Sequence, residues 1–268
     1  MRSIVRCLCI ILLNIAVQNA EAKNIKVALG MGRPPYIYSE QGQLKGIEVE
    51  VIGEVFRRLG YKASFDTLSP LRLEAEARHG NSYDAVVGVA RGNERSIFYS
   101  EPYLHFENYV VALKKKNYKI KSVRELAPLK VGTWVNAWNG LGKSFKVQFG
   151  PQLNGGYSPN YFEFLNQEDQ CLALFKEKVD AIVIDKYVFA WLRMTLAEKE
   201  DTEQEVDVFR LFNGESPSHV AFRDKNLHHR FNEELAKFRH SGEYDRVLRN
   251  YVGGNLASYF KPKVNRYR

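Results

Sequence analysis

The chain has 268 residues, of which 45% are hydrophobic and 13% aromatic, and it carries a formal net charge of +8 with only three cysteines. This composition is typical of a globular protein and excludes collagen-like, low-complexity and disulfide-stapled small folds. The length is sufficient for one large or two medium domains with a substantial core.

The N-terminus predicts export. Two arginines precede an apolar run from Cys7 to Val17, and a small-residue motif ends at Ala22. These features are typical of a secretory signal peptide over residues 1–22, cleaved after Ala22. A transmembrane anchor needs about 20 apolar residues, roughly twice the length of this run. We therefore predict an unanchored periplasmic protein.

The charge and the cysteines exclude further classes. A basic chain suggests a nucleic-acid partner, but export and the scattered placement of the charges argue against one. Only Lys114–Lys116 and the tail over 261–268 form basic runs, and short runs of this kind are usually solvated. Cys171 alone remains after the leader is removed, and we expect it to be a buried hydrophobe. No Cys/His cluster has zinc-ligand spacing, so we predict no metal and no cofactor.

Strands and helices alternate through the first part of the predicted mature chain. Ile25, Val27 and Leu29 alternate with polar residues, which predicts a strand, and Gly60 is well placed to end a helix. Strand-helix-strand-helix-strand is the pattern of a parallel α/β sheet. The predicted segments are a strand over 25–29, a loop over 30–36, a helix over 47–59, a strand over 61–65, a helix over 71–78 and a strand over 85–89.

The same rhythm restarts after a basic segment over 114–121 and predicts a second α/β unit. An acidic, linker-like segment over 200–205 follows this unit. The predicted segments are strands over 109–113, 130–133 and 179–184, helices over 168–178 and 186–197, extended segments over 206–212 and 218–222, and a helix over 227–252.

Several short motifs along the chain are informative because of the order in which they occur. The motifs are RPPYIY at 33–38, the glycines and helix over 42–59, YDAVVG at 83–88, Glu94-Arg95, YSEPY at 99–103, VDAIVID at 179–185 and SGEY at 241–244. Together they resemble the family 3 extracellular solute-binding proteins, the polar amino-acid receptors of ABC transporters. The resemblance extends from about residue 23 to residue 252, nearly the whole predicted mature chain.

The resemblance implies a two-lobed, periplasmic-binding-protein-like α/β fold. Each lobe is a mainly parallel sheet flanked by helices, and two hinge strands join the lobes around an enclosed ligand. On this basis lobe 1 is residues 23–111 and 213–268, and lobe 2 is residues 112–212. The two crossings are expected at 109–113 and 208–212.

The resemblance also implies the function. A small polar solute, an amino acid or a related carboxylate, is captured by hinge closure and delivered to the membrane permease of an ABC transporter. Binding alone suffices, so no catalytic residue is expected, and receptors of this family are usually monomers. We therefore predict a small-molecule ligand and a permease as partners, and no nucleic acid.

Arg95 is the first candidate ligand contact. It follows the predicted strand over 85–89, and parallel sheets present ligand-binding loops at the carboxyl ends of their strands. A guanidinium there can hold a carboxylate through two parallel hydrogen bonds, and the family uses the matching arginine for the ligand's α-carboxylate. The alternative is a surface arginine paired with Glu94 or Glu101.

Asp185 and Tyr36 are the next candidates. Asp185 follows the predicted strand over 179–184, and the matching aspartate of amino-acid binders pairs with the ligand's ammonium group. Its alternative role is to cap the following helix, a common use of aspartate at such a turn. Tyr36 follows two prolines and is expected either to form a wall of the cleft or to belong to the core.

The chain departs from the family at two ligand-binding positions. Gly92 stands where members have a threonine that bonds the ligand, and Asn136-Ala137 replaces their Gly-Thr pair. Two hydroxyl donors are therefore missing, which leaves open a ligand other than a standard L-amino acid. The backbone amides of Gly88 and Ala90, or the side chains of Asn93 and Asn136, would replace these donors. Trp134 is a further aromatic candidate for the wall of the cleft.

Two other functions stay open. Some proteins of this fold are dehydratases that act on cyclic acids, and such chemistry needs a carboxylate such as Glu101, Glu107 or Glu163 in the cleft. The sequence has no Ser/His/Asp or Cys/His arrangement, so we predict that the protein is not an enzyme. A soluble sensory or partner-binding protein is the other alternative.

Overall fold

The computed structural model describes residues 22–153, 155–212 and 216–252. Residues 1–21 of the predicted signal peptide and the basic tail over 261–268 lie outside these ranges. Within them, no helix combines the length and the apolar character that crossing a membrane requires. The described residues form two main sheets flanked by helices, which confirms the predicted α/β class.

The first sheet has the strand order β4-β1-β5-β13-β6, and a short strand, β7, also pairs with β13. β1 is parallel to β4 and β5, whereas β13 is antiparallel to its neighbours. The strands are β1 (Lys23–Gly30), β4 (Tyr61–Leu68), β5 (Ala85–Val89), β6 (Phe98–Tyr99), β7 (Leu104–Phe106) and β13 (Ser216–Phe222), beside a separate hairpin of β2 (Tyr38–Glu40) and β3 (Gln43–Lys45).

Four helices accompany this first sheet. Helix α1 buries Val51, Val55 and Phe56, which recur at helical spacing. Gly60 follows its end with φ of +81°, the left-handed conformation that the sequence predicted there. The single helix predicted over 227–252 is wrong, because Gly242 takes a φ of +75° and separates two helices. The helices are α1 (Ile47–Arg58), α2 (Pro70–His79), α7 (Lys225–His240) and α8 (Glu243–Val252).

The second sheet has the strand order β10-β9-β11-β8-β12. Strands β9, β10 and β11 are parallel, and β8 runs antiparallel to β11 and β12. The elements are β8 (Asn108–Leu113), β9 (Val131–Trp134), β10 (Tyr161–Phe164), β11 (Ala181–Asp185), β12 (Val206–Phe209), α3 (Ala137–Gly140), α4 (Lys143–Phe149), α5 (Gln167–Phe175) and α6 (Lys186–Thr195).

The chain passes from the first sheet to the second between β7 and β8, at Glu107, and returns between β12 and β13. The first crossing was expected within 109–113, but β8 pairs with β11 over residues 108–112 and with β12 over 110–113. A strand held by two neighbours belongs to their sheet, so the crossing lies before this strand. The assignment of 23–111 and 213–268 to one lobe and 112–212 to the other stays a prediction.

The core is continuous from one sheet to the other. One cluster of buried side chains includes Ile25 and Val55 of the first half and Ile182 and Phe189 of the second. Cys171 belongs to it, is fully buried, and has a thiol whose pKa is raised by that burial. Its expected role as a small hydrophobe is thus confirmed.

Candidate ligand-binding cleft

A cleft of about 280 Å³ lies between the two sheets. Five strands, taken from the parallel parts of both sheets, have their carboxyl ends at this cleft. Open α/β sheets place their ligand sites at such ends. Residues at or just beyond these strand ends that line the cleft are Gly30, Gly88, Trp134, Phe164 and Asp185.

The surface of the cleft is largely apolar. Leu73 and Val89 contribute from the first half, Phe106 from the strand before the crossing, and Trp134 and Phe164 from the second half. Phe164 and Trp134 are register partners on the adjacent strands β10 and β9. A mostly apolar pocket with a few aimed polar groups is the ordinary form of a small-molecule site.

Asp185 lines the cleft and also caps helix α6. Its Oδ1 accepts hydrogen bonds from the backbone N–H groups of Tyr187 and Val188, at 2.9 and 3.2 Å. Its Oδ2 accepts from the backbone N–H of Glu107 at 2.9 Å, at the first crossing. The capping role that the sequence left open is therefore confirmed.

The Asp185 carboxyl is 3% exposed, and this burial raises its pKa from 3.8 to about 6. The hydrogen bonds that it accepts act in the opposite direction but do not compensate fully. Within the described ranges, no lysine or arginine forms a salt bridge with it, and the neighbouring Lys186 is paired with Glu107. At neutral pH, Asp185 is therefore a buried carboxylate whose described hydrogen bonds all come from uncharged donors.

Tyr36 lies behind the surface of the cleft. It is 3% exposed, and its hydroxyl donates to Asp185 Oδ1 at 3.1 Å. Its ring packs edge-on against Phe106, with 4.7 Å between the centroids. Burial, the largest cause, and the charge of Asp185 both raise the pKa of the Tyr36 hydroxyl. Of the two expected roles, the structure places Tyr36 in the core, from which it supports the cleft.

Arg95 and Asn93 lie outside the cleft. Both are exposed, in the loop between β5 and β6, and neither contributes to the lining. The neighbouring Glu94 fixes this loop by accepting hydrogen bonds from Tyr99 at 2.7 Å and from Arg78 at 2.6 Å. The salt bridge of Glu94 is therefore made with Arg78, not with Arg95.

Two arginines that the sequence analysis did not single out line the cleft instead. Arg33, in the RPPYIY motif, pairs with the fully buried Glu48 of α1, and its guanidinium lies 4.5 Å from the centroid of Phe106. Gly88 leaves room for it, since a Cβ at Gly88 would lie 3.2 Å from Arg33 Nη2. Gly88 also has a φ of +86°, which favours glycine.

The second arginine is Arg78, near the end of helix α2. Its guanidinium is 3.1 Å from Glu74 and 2.6 Å from Glu94, so two carboxylates share one cation. The i, i+4 spacing of Glu74 and Arg78 is the signal that sequence reasoning missed.

Asn136 joins the two halves across the cleft. Its side-chain Nδ2 donates to Glu74 Oε2 at 2.8 Å, and its backbone N–H donates to Glu163 Oε1 at 2.9 Å. The residue has a φ of +62°, a left-handed conformation that asparagine tolerates better than most residues. Five of the eight predicted site residues line the cleft, namely Gly88, Ala90, Trp134, Asn136 and Asp185.

Comparison with known proteins agrees with this architecture. The sequence profile of the bacterial extracellular solute-binding proteins, family 3, matches residues 25–254. No curated protein sequence matches the chain significantly.

Solved structures share the fold at low sequence identity. An ancestral arginine-binding protein bound to arginine is 23% identical with a TM-score of 0.67, and the match covers 87% of this chain and 100% of that one. The arginine-, lysine-, histidine-binding protein ArtJ from Geobacillus stearothermophilus is 19% identical with a TM-score of 0.66, covering 90% and 98%. An ancestral amino acid-binding protein, a precursor of cyclohexadienyl dehydratase, is 21% identical with a TM-score of 0.65, covering 85% and 95%.

These identities establish a shared fold. The profile match establishes membership of the family, because it spans most of the chain and includes the carboxyl end of every strand that ends at the cleft. The chain therefore belongs to the bacterial extracellular solute-binding proteins, family 3.

Proposed function

We propose that the protein captures a small polar solute of amino-acid size in the periplasm and delivers it to the permease of an ABC transporter. The observation that carries the proposal is the cleft itself, which strand ends of both sheets form together and which side chains of both halves bridge. The protein acts as a monomer, and no cofactor takes part.

Closure would work through the two connections between the sheets, near Glu107 and after Phe209. Rotation of the halves about these connections opens the cleft to solvent, and a solute that contacts both halves favours the closed arrangement. Glu74 and Asn136 already meet across the cleft, so little further movement is needed to enclose a solute of this size.

Binding without chemistry is favoured over the enzyme alternative. Glu101, Glu107 and Glu163, the carboxylates considered for dehydratase chemistry, are not among the lining residues of the cleft. Glu107 is also engaged by Lys186, and this ion pair contributes to a lowered pKa of the Glu107 carboxyl. A general acid or base needs to reach the substrate, directly or through one water. The carboxylates that do line the cleft are engaged within the protein, Glu74 by Arg78 and Asn136, and Asp185 by backbone N–H groups.

A thermal unfolding screen tests the proposal. The purified protein is exposed to amino acids, small carboxylates, amines and short peptides, and a ligand at a hundredfold excess over its Kd stabilises by about 2.7 kcal/mol. We expect a shift with a small polar solute. Ala90→Trp, which fills the cleft, should abolish the shift, and Asn93→Trp is the matched control because Asn93 is exposed and outside the lining.

The transport role needs its own measurement. Deletion of the encoding gene should abolish high-affinity uptake of the identified solute by the producing cell. Unchanged uptake would contradict delivery to a permease and would favour the sensory alternative, whereas the absence of any shift in the screen would contradict solute binding.

A further inference from the structure

The charged side chains that line the cleft are not equally available to a ligand. They are Arg33, Arg78, Glu74 and Asp185. Arg33 already has a carboxylate partner in Glu48, which is fully buried below the cleft. Both guanidinium groups of the cleft are thus neutralised within the protein, since Arg78 is held by two carboxylates.

Negative charge, in contrast, is left over. Arg78 offsets only one of the two carboxylates of Glu74 and Glu94, which contact it at 3.1 and 2.6 Å. Asp185 is held by the Tyr36 hydroxyl and by backbone N–H groups, all of them neutral. The lining groups and their ion-pair partners therefore carry an excess of negative charge, although the whole chain carries +8.

Aromatic residues line the half of the cleft to which Asn136, the partner of Glu74, belongs. Asn136, which Glu74 contacts across the cleft, follows Trp134 by two residues, and Phe164 lies beside Trp134 in the sheet. Both rings are partly exposed and line the cleft. The faces of aromatic rings attract cations, most strongly where the site is desolvated.

We propose that the bound solute is an organic cation, an amine or a guanidinium compound without a carboxylate, held between Glu74 and the rings of Trp134 and Phe164. This inference rests on the proposed function as a solute-binding protein. A cation balances the negative charge that the protein leaves unpaired and replaces the weaker contact of Glu74 with the neutral amide of Asn136.

A carboxylate on the ligand would meet the opposite situation. To reach a guanidinium it would have to displace Glu48 from Arg33, or Glu74 or Glu94 from Arg78, and the displaced carboxylate would stay close to it. Like charges brought together in a partly desolvated cleft cost free energy. Exposed Arg95, the carboxylate anchor expected from the resemblance, does not line the cleft to offset this cost.

Matched pairs of solutes that differ only in the carboxylate test the inference. Isothermal titration compares agmatine with arginine and cadaverine with lysine, and it includes glutarate as an anion. We expect at least tenfold tighter binding of the decarboxylated member of one pair and no binding of glutarate. Tighter or equal binding of the amino acid, or binding of glutarate, would overturn the inference and leave the proposed function in place.

A charge-neutral variant gives a second, independent test. Glu74→Gln keeps an oxygen acceptor for Asn136 but removes the charge, and it should weaken cation binding at least tenfold. Glu76→Gln is the matched control, because Glu76 lies on the same helix, bears the same charge and is outside the cleft lining. Unchanged affinity in Glu74→Gln, or equal losses in both variants, would overturn the inference.

If none of these cations binds, the inference fails whatever the solute screen shows. A shift with some other solute in the thermal unfolding screen would then still support the proposed function. If no solute gave a shift in that screen either, both the inference and the proposed function would be contradicted.

Discussion

Two of the hydrogen-bonded contacts between the halves of the molecule, Tyr36 with Asp185 and Asn136 with Glu74, differ in how deeply they are buried. The contact of Tyr36 with Asp185 is buried, and the same carboxylate also holds backbone N–H groups of α6 and of the crossing at Glu107. The contact of Asn136 with Glu74 is a single bond whose carboxylate side chain is 42% exposed. In the proposed closure, the first would therefore act as a fixed pivot next to the crossing, and the second as a contact that opens.

The largest effect is expected from removing the buried contact. Asp185→Ala deletes the cap of α6 and leaves the Tyr36 hydroxyl and the Glu107 N–H without their acceptor. A lost cap costs about 1 kcal/mol, and each buried unpaired donor costs about 1–3 kcal/mol. At pH 5 we expect the free energy of unfolding to fall by about 3 kcal/mol, measured by chemical denaturation. A loss below about 1 kcal/mol would contradict the role of Asp185 as a pivot.

The pH dependence of the free energy of unfolding tests the ionisation of the Asp185 carboxyl separately from its hydrogen bonds. Burial raises the pKa of Asp185 to about 6, so the folded protein holds this proton more tightly than the unfolded chain does. The resulting stabilisation is complete below about pH 4 and is lost as the pH rises through about 6. Relative to Asp185→Asn, the free energy of unfolding should therefore decrease by about 2 kcal/mol between pH 4 and pH 7. Parallel pH profiles for the two proteins would show that the carboxyl has an ordinary pKa.

Asn136→Gly tests the exposed contact with a smaller expected effect on stability. Glycine accepts the left-handed conformation at this position, so the change mainly removes the amide that reaches Glu74. We expect the free energy of unfolding to change by about 0.5 kcal/mol or less. The ligand-free protein should open more, with a larger radius of gyration in small-angle scattering. An unchanged radius would show that this bond does not hold the halves together.

The smallest effect is expected at Arg95. Its side chain is exposed and outside the cleft. Arg95→Ala should therefore leave the free energy of unfolding nearly unchanged and should change the Kd of the bound solute by no more than about twofold. Titration calorimetry decides the point. Complete loss of binding would restore the role as carboxylate anchor that the resemblance to the family implied.

The fold was largely readable from the sequence because hydrophobic periodicity reports which faces are buried. The alternation at Ile25, Val27 and Leu29 and the helical spacing in α1 both predicted elements that the structure contains. Short elements such as β6, β7 and α3 were missed, because two to four residues carry no measurable period. The break at Gly242 was missed because a single glycine inside a helical pattern is often tolerated.

The site was predictable only in part. Asp185 and Trp134 were found because they follow strands, and the carboxyl ends of parallel strands meet at one edge of a sheet. The pairs of Arg33 with Glu48 and of Arg78 with Glu94 were missed because only the folded chain brings these partners together, whereas the i, i+4 pair of Arg78 with Glu74 was visible in the sequence. Arg95, which was assigned from the order of the motifs, does not line the cleft.

The fully buried Cys171 makes the molecule convenient for optical detection. Its thiol is inaccessible and its pKa is raised, so maleimide reagents should leave it unmodified in the folded protein. A single cysteine introduced at the rim of the cleft, for example at the exposed Leu165, would then be the only reactive thiol of the predicted exported form. An environment-sensitive dye attached there would report solute capture in real time.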